Sequence, residues 1–322
     1  MTFVDTYSQP EAPDPVLSEE VVVGLARRHV AEAGRLLSVD ESGGEARAYH
    51  LDGGVVVKTQ RPPRRRPRTS LEKEGRVLQA LDGVPGVSVP RALGHGWVDT
   101  VEYLCLSRMP GRPFAEVDLP SPGRREVLLA LGDTLRRIHE SDQSPLLARG
   151  LVPGDEGPED FPRRVAETFD RLFHTLEGSR SGAGMASLRE GAMALVHQLP
   201  SSTPPVVLHS NPGPEHVFVL EESGTLSGLI DFGDAYRSHP ALDLRSWPRD
   251  RGGDVVLEGY RGSRGLPEGF ETAWRAGLII TELTRAVRGG LALEEVPERV
   301  TPLLATDGVV GRGGYGAGDG TT

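Results

Sequence analysis

The sequence is poor in the residues that build disulfide frameworks and membrane spans. Its 322 residues include a single cysteine, Cys105, which excludes an internal disulfide and a cysteine-based zinc site. No apolar run approaches ~20 residues, so we predict no membrane-spanning helix. The first residues lack the basic start and apolar centre of a secretory signal, and we therefore expect a cytoplasmic protein.

An excess of basic charge is also missing. The chain carries 36 Lys and Arg against 46 Asp and Glu, which gives a formal net charge of -10. This balance argues against binding to nucleic acid or to a membrane surface and is compatible with cationic ligands. Apolar residues make up 37% and charged residues 25%, as in soluble globular proteins.

The ends of the chain have little to bury. We predict a disordered leader at 1–19 and a disordered glycine-rich tail at 306–322. Between them, "VLSEEVVVGLARRHV" has helical spacing with Ser18 as its cap. The proline-rich basic segment 61–68 cannot form a regular element, and we interpret it as a solvated loop.

The pattern changes from strands to helices near the middle of the chain. Alternation over 35–60 predicts three short antiparallel strands, with Asp52-Gly53-Gly54 as a hairpin turn. A helix capped by Ser70 and two further strands follow, and amphipathic helices begin after residue 111. Cys105 and the three tryptophans are assigned to the core.

One hairpin concentrates polar residues. Strands at 217–220 and 225–230, joined by Glu222-Ser223-Gly224, place His216 opposite Asp231 at the open end. His209 and Asn211 lie on the loop just before that end. A buried aspartate is costly unless it binds something, so we predict a functional site here. The alternative is a capped hairpin end with a hydrogen-bonded aspartate.

The segments "HSNPGPEH" and "GLIDFGDAYRSHPALDL" resemble the catalytic core of the aminoglycoside phosphotransferase family. The similarity continues upstream in "VVVK", "LEKEGRVLQAL", "YLCLSRMPG" and "LGDTLRRIH", and covers residues ~36–245. It implies an α+β, two-lobed protein-kinase-like fold. A small antiparallel-sheet lobe at 20–107 would bind nucleotide, and a mainly helical lobe at 108–305 would hold the catalytic loop and the substrate site.

The resemblance also implies a nucleotide site for ATP. Lys58, paired with Glu74, would neutralise the phosphates. Gly43 and Gly44 would lie in the turn over the phosphates, although the kinase glycine pattern is absent. The adenine would bond to the backbone of the segment between the lobes, at the carbonyl of Ser107 and the N–H of Met109.

The implied metal site and catalytic loop follow from the same resemblance. Asp231 would hold Mg²⁺, with Mn²⁺ as an alternative, and His216 stands where the family most often has a second metal ligand, an asparagine. His209 would stabilise the loop, and Asp243 would steady it from behind. Ser210 replaces the family's glycine, which predicts a loop backbone outside the glycine-only conformation.

The family's catalytic aspartate falls on Asn211. An amide cannot take the proton of an acceptor hydroxyl, although its oxygen can still accept a hydrogen bond. Two hypotheses follow. The chain is an ATP-dependent kinase of a small hydroxylated molecule, such as an aminoglycoside, with impaired or atypical transfer. Alternatively, it is a pseudokinase that binds nucleotide and acts as a ligand-binding protein or on a protein partner.

Overall fold

The structure is a computed structural model that describes residues 7–67, 69–178 and 184–305. The predicted disordered tail at 306–322 and residues 1–6 of the predicted leader lie outside the described residues. None of the helices in the described ranges combines the length and apolar character that a membrane crossing requires.

The small lobe is built on a five-stranded antiparallel sheet in the order β1-β2-β3-β5-β4. The strands are β1 (Leu36–Asp40), β2 (Ala46–Leu51), β3 (Val55–Gln60), β4 (Ala92–Val98) and β5 (Val101–Ser107). The turn Asp52–Gly54 joins β2 to β3, and both of its glycines have φ of 72°, which permits the tight reversal. The predicted strands and hairpin turn are therefore confirmed.

Two helices cover the two faces of this sheet. Helix α1 (Glu19–Arg27) begins where the Ser18 side chain accepts a hydrogen bond from the Val21 N–H, and its apolar side joins a core with Tyr49 and Cys105. Helix α2 (Leu71–Leu81) lies on the other face. The alternation of β3 thus sends Val57 toward α1 and Lys58 toward α2.

The helical lobe begins after β5. Its helices are α3 (Ser121–Glu140), α4 (Ser144–Leu147), α5 (Asp160–Glu177), α6 (Met185–Val196), α7 (Gly253–Arg261), α8 (Phe270–Val287) and α9 (Val296–Leu304). Its short strands are β6 (Arg112–Pro113), β7 (Val206–Leu208), β8 (Val217–Leu220), β9 (Thr225–Leu229) and β10 (Tyr236–Ser238). They form a β6-β8-β9 sheet and a β10-β7 pair. The loop between β7 and β8 carries the predicted catalytic residues.

The tryptophans divide between core and surface. Trp247 and Trp274 are buried in the helical lobe, and their indole N–H groups donate to the carbonyls of Pro212 and Leu244. The assignment of Trp97 to the core is wrong, because its side chain on the edge strand β4 is 48% exposed. An edge strand leaves one side without a neighbouring strand, and Arg65 covers the Trp97 ring at 5.8 Å instead.

The leader and the basic segment contact the small lobe. Residues 7–18 form no regular element, yet Asp14 accepts hydrogen bonds from Arg61 and Arg47, and the Leu17 N–H donates to the Tyr49 hydroxyl. The interpretation of 61–68 as a solvated loop is wrong for part of this segment. Its arginines make ion pairs and cation–π contacts, described below, that a freely solvated loop would lack.

Candidate active site

The charged centre of the cleft joins both lobes. The Lys58 ammonium lies 2.8 Å from Glu74 Oε2 and 2.6 Å from Asp231 Oδ1. Strand β3 supplies the lysine, α2 the glutamate, and the end of the β8–β9 hairpin the aspartate. The structure therefore brings together three residues that are 16 and 173 positions apart in sequence.

The charges of Lys58 and Asp231 stabilise one another. Burial alone would lower the pKa of Lys58, but the negative charges of Asp231 and Glu74 outweigh it and raise the pKa above its ordinary value. Burial alone would raise the pKa of Asp231, but Lys58 and His216 hold it well below the usual range. The lysine is therefore a cation and Asp231 an anion at neutral pH.

The loop after β7 is held from beneath by Asp243. Its carboxylate accepts the backbone N–H of His209 at 2.9 Å and that of Ser210 at 2.7 Å. His139 Nε2 donates to the same carboxylate at 2.9 Å, and Asp243 itself is fully buried. The resemblance implied a steadying role for Asp243, and these bonds supply the contacts for one.

The expectation for the backbone of Ser210 is wrong. Its φ is 85°, in the left-handed region that favours glycine. The Ser210 N–H bonds Asp243, and the Ser210 carbonyl accepts a hydrogen bond from Arg245 at 3.1 Å. Both backbone groups are thus hydrogen-bonded, the N–H to the buried Asp243 and the carbonyl to the half-buried Arg245, and these bonds hold the strained conformation in place.

His209 lies behind the reacting centre. Its ring is fully buried, Nε2 donates to the Ile230 carbonyl at 2.9 Å, and Nδ1 accepts the Asn211 N–H at 3.4 Å. Burial lowers the pKa of His209, so the ring is neutral, as these two bonds require. This geometry fits a loop-stabilising residue and leaves no ring nitrogen for a substrate.

Asn211 is half-buried at the front of the loop. Its side-chain oxygen accepts a hydrogen bond from the Ser246 hydroxyl at 3.4 Å, and its carbonyl accepts one from His216 Nδ1 at 2.8 Å. In the described part of the chain, no partner is found for its side-chain nitrogen. The Asn211 side chain therefore keeps an N–H donor available at this loop and has no group that could accept a proton at neutral pH.

The hairpin places His216 beside Asp231, as predicted. The Ile230 N–H donates to the His216 carbonyl at 3.0 Å, and His216 Nε2 lies 3.4 Å from Asp231 Oδ2. Among the described residues, no three His, Cys, Asp or Glu side chains are grouped so that they could hold a metal ion. Asp231, with a 41% exposed side chain, is the carboxylate of the cleft that could hold a hard cation.

The predicted nucleotide contacts lie at two other places along the cleft. Ser107 ends β5, where its hydroxyl accepts the Arg91 N–H at 2.8 Å, and Met109 is buried with its sulfur 3.5 Å from Ser227 Oγ. Gly43 and Gly44 lie in the exposed turn between β1 and β2. A Cβ on Gly43 would come within 2.8 Å of the Ala46 carbonyl oxygen, so this turn needs a glycine there for its own closure.

Sequence reasoning missed a second ionic contact between the lobes. Arg66, from the basic segment, lies between Glu45 and Asp234 and forms an ion pair with each. Nothing in the spacing of the basic segment indicates which of its arginines reaches Asp234. The signal available was only the concentration of positive charge there.

Comparison with known proteins identifies the family. The profile of the phosphotransferase enzyme family matches residues 37–278, three quarters of the chain. The chain belongs to the phosphotransferase enzyme family. The predicted family and the prediction of a small-molecule kinase are thereby confirmed at the level of the family.

Two curated relatives from the genus Streptomyces are similar in sequence. The aminoglycoside 3'-phosphotransferase of Streptomyces ribosidificus is 27% identical over 61% of this chain and 72% of its own length. The viomycin phosphotransferase of Streptomyces vinaceus is 30% identical over 52% of this chain and 58% of its own length. The match to the viomycin enzyme therefore leaves more than a third of that protein unaligned.

Solved structures support the fold. The GDP complex of wild-type aminoglycoside 2'-phosphotransferase-IIIa has a TM-score of 0.62 at 16% identity, and the alignment covers 89% of this chain and 99% of that chain. The apoenzyme of macrolide 2'-phosphotransferase MphH from Brachybacterium faecium has a TM-score of 0.57 at 22% identity, with coverage of 88% and 98%. The predicted two-lobed kinase-like fold is confirmed.

Proposed function

We propose that this chain is an ATP-dependent phosphotransferase that transfers the terminal phosphoryl group to a hydroxyl of a small molecule. The observation that carries the proposal is the Lys58 ammonium, held between Glu74 at 2.8 Å and Asp231 at 2.6 Å in the cleft between the lobes. Phosphoryl transfer requires a fixed cation for the phosphates and a carboxylate for the metal, and this cluster supplies both.

The roles on the nucleotide side follow from this geometry. Glu74, with a side chain only 1% exposed, fixes the position of Lys58, which would donate to the phosphates. Asp231 would hold Mg²⁺, which supplies charge neutralisation of the phosphates when bound. One protein carboxylate is sufficient, because Mg²⁺ is commonly held by one or two carboxylates together with substrate phosphates and water. Mn²⁺ would accept the neighbouring imidazole of His216 more readily.

On the acceptor side, Asn211 would position the hydroxyl without removing its proton. The acceptor oxygen forms a bond to the terminal phosphorus, the bond from that phosphorus to the bridging oxygen breaks, and the bridging oxygen leaves on ADP. The hydroxyl proton passes to solvent, since an amide cannot accept it. A loose transition state places little charge demand on the nucleophile, so transfer without a base is slow rather than forbidden.

The acceptor is proposed to be an aminoglycoside or another hydroxylated metabolite. This rests on membership of the family and on relatives whose names specify aminoglycosides and viomycin. A cytoplasmic location, where ATP is available, belongs to the same proposal.

Two measurements test the proposal. Thermal denaturation with increasing ATP and Mg²⁺ or Mn²⁺ should raise the melting temperature, because a ligand that binds only the folded state stabilises it. No shift at millimolar ATP in a folded sample would exclude the nucleotide site. ADP release should then depend on the addition of an acceptor from a panel of aminoglycosides, other hydroxylated antibiotics and sugars.

Asn211 favours a second candidate function, a pseudokinase. In that case ATP and metal raise the melting temperature, but no acceptor stimulates ADP release. Asp231→Ala would then weaken metal–nucleotide binding with no transfer to lose. Acceptor-dependent ADP release would exclude this alternative.

A further inference from the structure

Arg66 joins three segments that surround the opening of the cleft. It comes from the loop between β3 and α2, and its Nη2 lies 3.1 Å from Asp234 Oδ2 and also pairs with Glu45 Oε1. Glu45 ends the turn between β1 and β2, and Asp234 follows the β8–β9 hairpin. One guanidinium therefore links two small-lobe segments to the helical lobe.

This position is close to the proposed phosphate site. Asp234 lies three residues after Asp231, whose carboxylate is 2.6 Å from Lys58 Nζ. Glu45 immediately precedes β2, whose Ala48 pairs with Lys58 in the sheet. Lys58 and Arg66 thus contact the two ends of the short 231–234 segment, and both are cations of the same cleft.

The other arginines of the loop with described side-chain contacts turn elsewhere. Arg61 pairs with Asp14 of the leader, and Arg65 lies 5.8 Å from the Trp97 ring on the edge strand β4. Within the described ranges, Arg66 is the arginine of this loop that forms an ion pair with the helical lobe. The described part of the basic segment therefore directs Arg66 to the helical lobe.

The two acidic partners of Arg66 can release it at low cost. The side chains of Glu45 and Asp234 are 19% and 30% exposed, so water can solvate either carboxylate once the ion pair opens. A partly exposed ion pair contributes little net stability. A terminal phosphate carries more charge than one carboxylate and matches the planar fork of a guanidinium in a bidentate contact.

We propose that Arg66 is a second phosphate-binding cation, which clasps Glu45 and Asp234 when the cleft has no nucleotide and donates to the terminal phosphate when ATP binds. This inference rests on the proposed function, because it requires a nucleotide in the cleft. The terminal phosphate would then be the ligand of the basic loop. The β1–β2 turn, the basic loop and the 231–234 segment would all change their contacts when this phosphate binds.

The test compares ATP, ADP and AMP, each with Mg²⁺, on the full chain by calorimetry or thermal shift. Arg66→Met should weaken ATP binding about 10-fold or more, since charge-assisted hydrogen bonds are the strong class, and should leave AMP binding unchanged. Arg65→Met, the neighbouring arginine that faces Trp97, is the matched control and should bind all three nucleotides like the unmodified chain. Arg66→Lys should bind ATP with intermediate affinity, because it keeps the charge without the fork.

Arg66→Met removes the proposed phosphate contact and also leaves the carboxylates of Glu45 and Asp234 unpaired, where they would repel a phosphate. A second set of variants separates these two effects. The double variant Glu45→Gln with Asp234→Asn should bind ATP more tightly than the unmodified chain, because Arg66 no longer has competing partners. Adding Arg66→Met to this double variant should still weaken the binding of ATP more than the binding of ADP. The ratio of the two affinities can be measured even if Arg66→Met alone folds poorly.

Each other outcome overturns the proposal. If ATP and ADP lose affinity equally, or if the loss disappears in the double-variant background, Arg66 does not contact the terminal phosphate. In both cases the unmodified chain still binds ATP, so the proposed function stands. Both the Arg66 proposal and the proposed function fail only if ATP does not stabilise the unmodified chain at all.

Discussion

The proposed nucleotide side and the proposed acceptor side of the cleft are built differently. The nucleotide side consists of Lys58, Glu74 and Asp231, three charged side chains held by direct ion pairs of 2.6–2.8 Å. The proposed acceptor side is the loop at 209–211, which carries the neutral Asn211 and whose backbone Asp243 holds from beneath. On the first side the Asp231 carboxylate is 41% exposed, whereas on the second side the carboxylate of Asp243 is fully buried beneath the loop.

This difference indicates which properties of phosphoryl transfer each side can provide. Under the proposed function, the ion-pair cluster and the hydrogen-bonded loop would supply positioning and charge stabilisation. Proton acceptance is the one function without a candidate at position 211. The predictions below test the two sides separately, from the largest expected effect to the smallest.

Removing the cation should have the largest effect on the nucleotide side. Lys58→Met should lower kcat/KM by about 10²–10³-fold, the usual loss when one preorganised charge donor is removed from a reacting centre. The measurement is ADP release at saturating acceptor. Arg251→Met, an exposed arginine of the helical lobe, is the matched control for loss of one positive charge. Equal activity of the Lys58 variant and this control would contradict the assigned role.

Removing the buried charge should have the largest effect on the acceptor side. Asp243→Ala leaves the N–H groups of His209 and Ser210 and the His139 ring without their acceptor, and should lower the free energy of unfolding by roughly 3 kcal/mol. Urea denaturation measures it. Asp243→Asn, which keeps one acceptor oxygen, should lose less. A loss below that of an average surface substitution would show that the loop is held by other contacts.

A carboxylate at position 211 should give the proposed acceptor side a group that can take a proton. Asn211→Asp should raise turnover of a hydroxyl acceptor by about 10²-fold, the lower range of general-base catalysis. Its rate should also rise with pH as the new carboxylate ionises, whereas the unmodified chain has no such base. Asn211→Ala should not show this gain. An unchanged or lower rate for Asn211→Asp would mean that the acceptor does not lose its proton to this position.

Mild acid should distinguish the buried imidazoles of the helical lobe from the ion pairs of the nucleotide side. Burial lowers the pKa of His239 from 6.5 to about 3, and burial also lowers that of His209. Below about pH 6.5 the unfolded chain binds protons that the folded chain does not, so stability falls as pH decreases toward about 3, by at most about 1.4 kcal/mol per pH unit for one histidine.

Asp231 carries an acidic group, and its contribution to stability changes over a different pH range from that of the histidines. Its pKa is lowered from 3.8, so its contribution is complete above that pH and is lost only in stronger acid. Urea denaturation from pH 7 to pH 4.5 should therefore report the histidines. His239→Asn, which keeps an acceptor for the Ala241 N–H, should flatten this dependence. A pH profile identical to that of the unmodified chain would contradict the assignment.

The smallest effect concerns the strained backbone of the acceptor side. Ser210→Gly should raise the free energy of unfolding by up to about 1 kcal/mol, because a φ of 85° costs an L residue 1–2 kcal/mol and glycine little, less the entropy that glycine loses on folding. Ser210→Ala keeps the strain and is the control. If the glycine variant is no more stable than the alanine variant, the partners of Ser210 fully offset the strain.

Part of this protein can be predicted from local patterns. Alternation gave the strands of the small lobe, helix caps at Ser18 and Ser70 gave two helices, and the hairpin arithmetic placed His216 beside Asp231. These succeed because backbone periodicity and capping depend on residues a few positions apart. The prediction that Trp97 lies in the core was wrong, because burial on an edge strand depends on which strand becomes its neighbour, and that is a property of the whole sheet.

The sequence by itself determined the chemistry available: a lysine, a glutamate and an aspartate in the order that the resemblance implies, and an asparagine where it predicts the base. Only the tertiary structure decided how these groups are used. It turned the Ser210 backbone to a φ of 85°, buried His209 away from substrate, and selected Arg66 from a run of arginines to bridge the lobes. The physical reason is the separation in sequence between the residues that interact. Residue type and local period are set by neighbouring positions, whereas strain, burial and ion pairing depend on contacts between segments distant in sequence, 33 positions apart for Ser210 and Asp243 and 168 for Arg66 and Asp234.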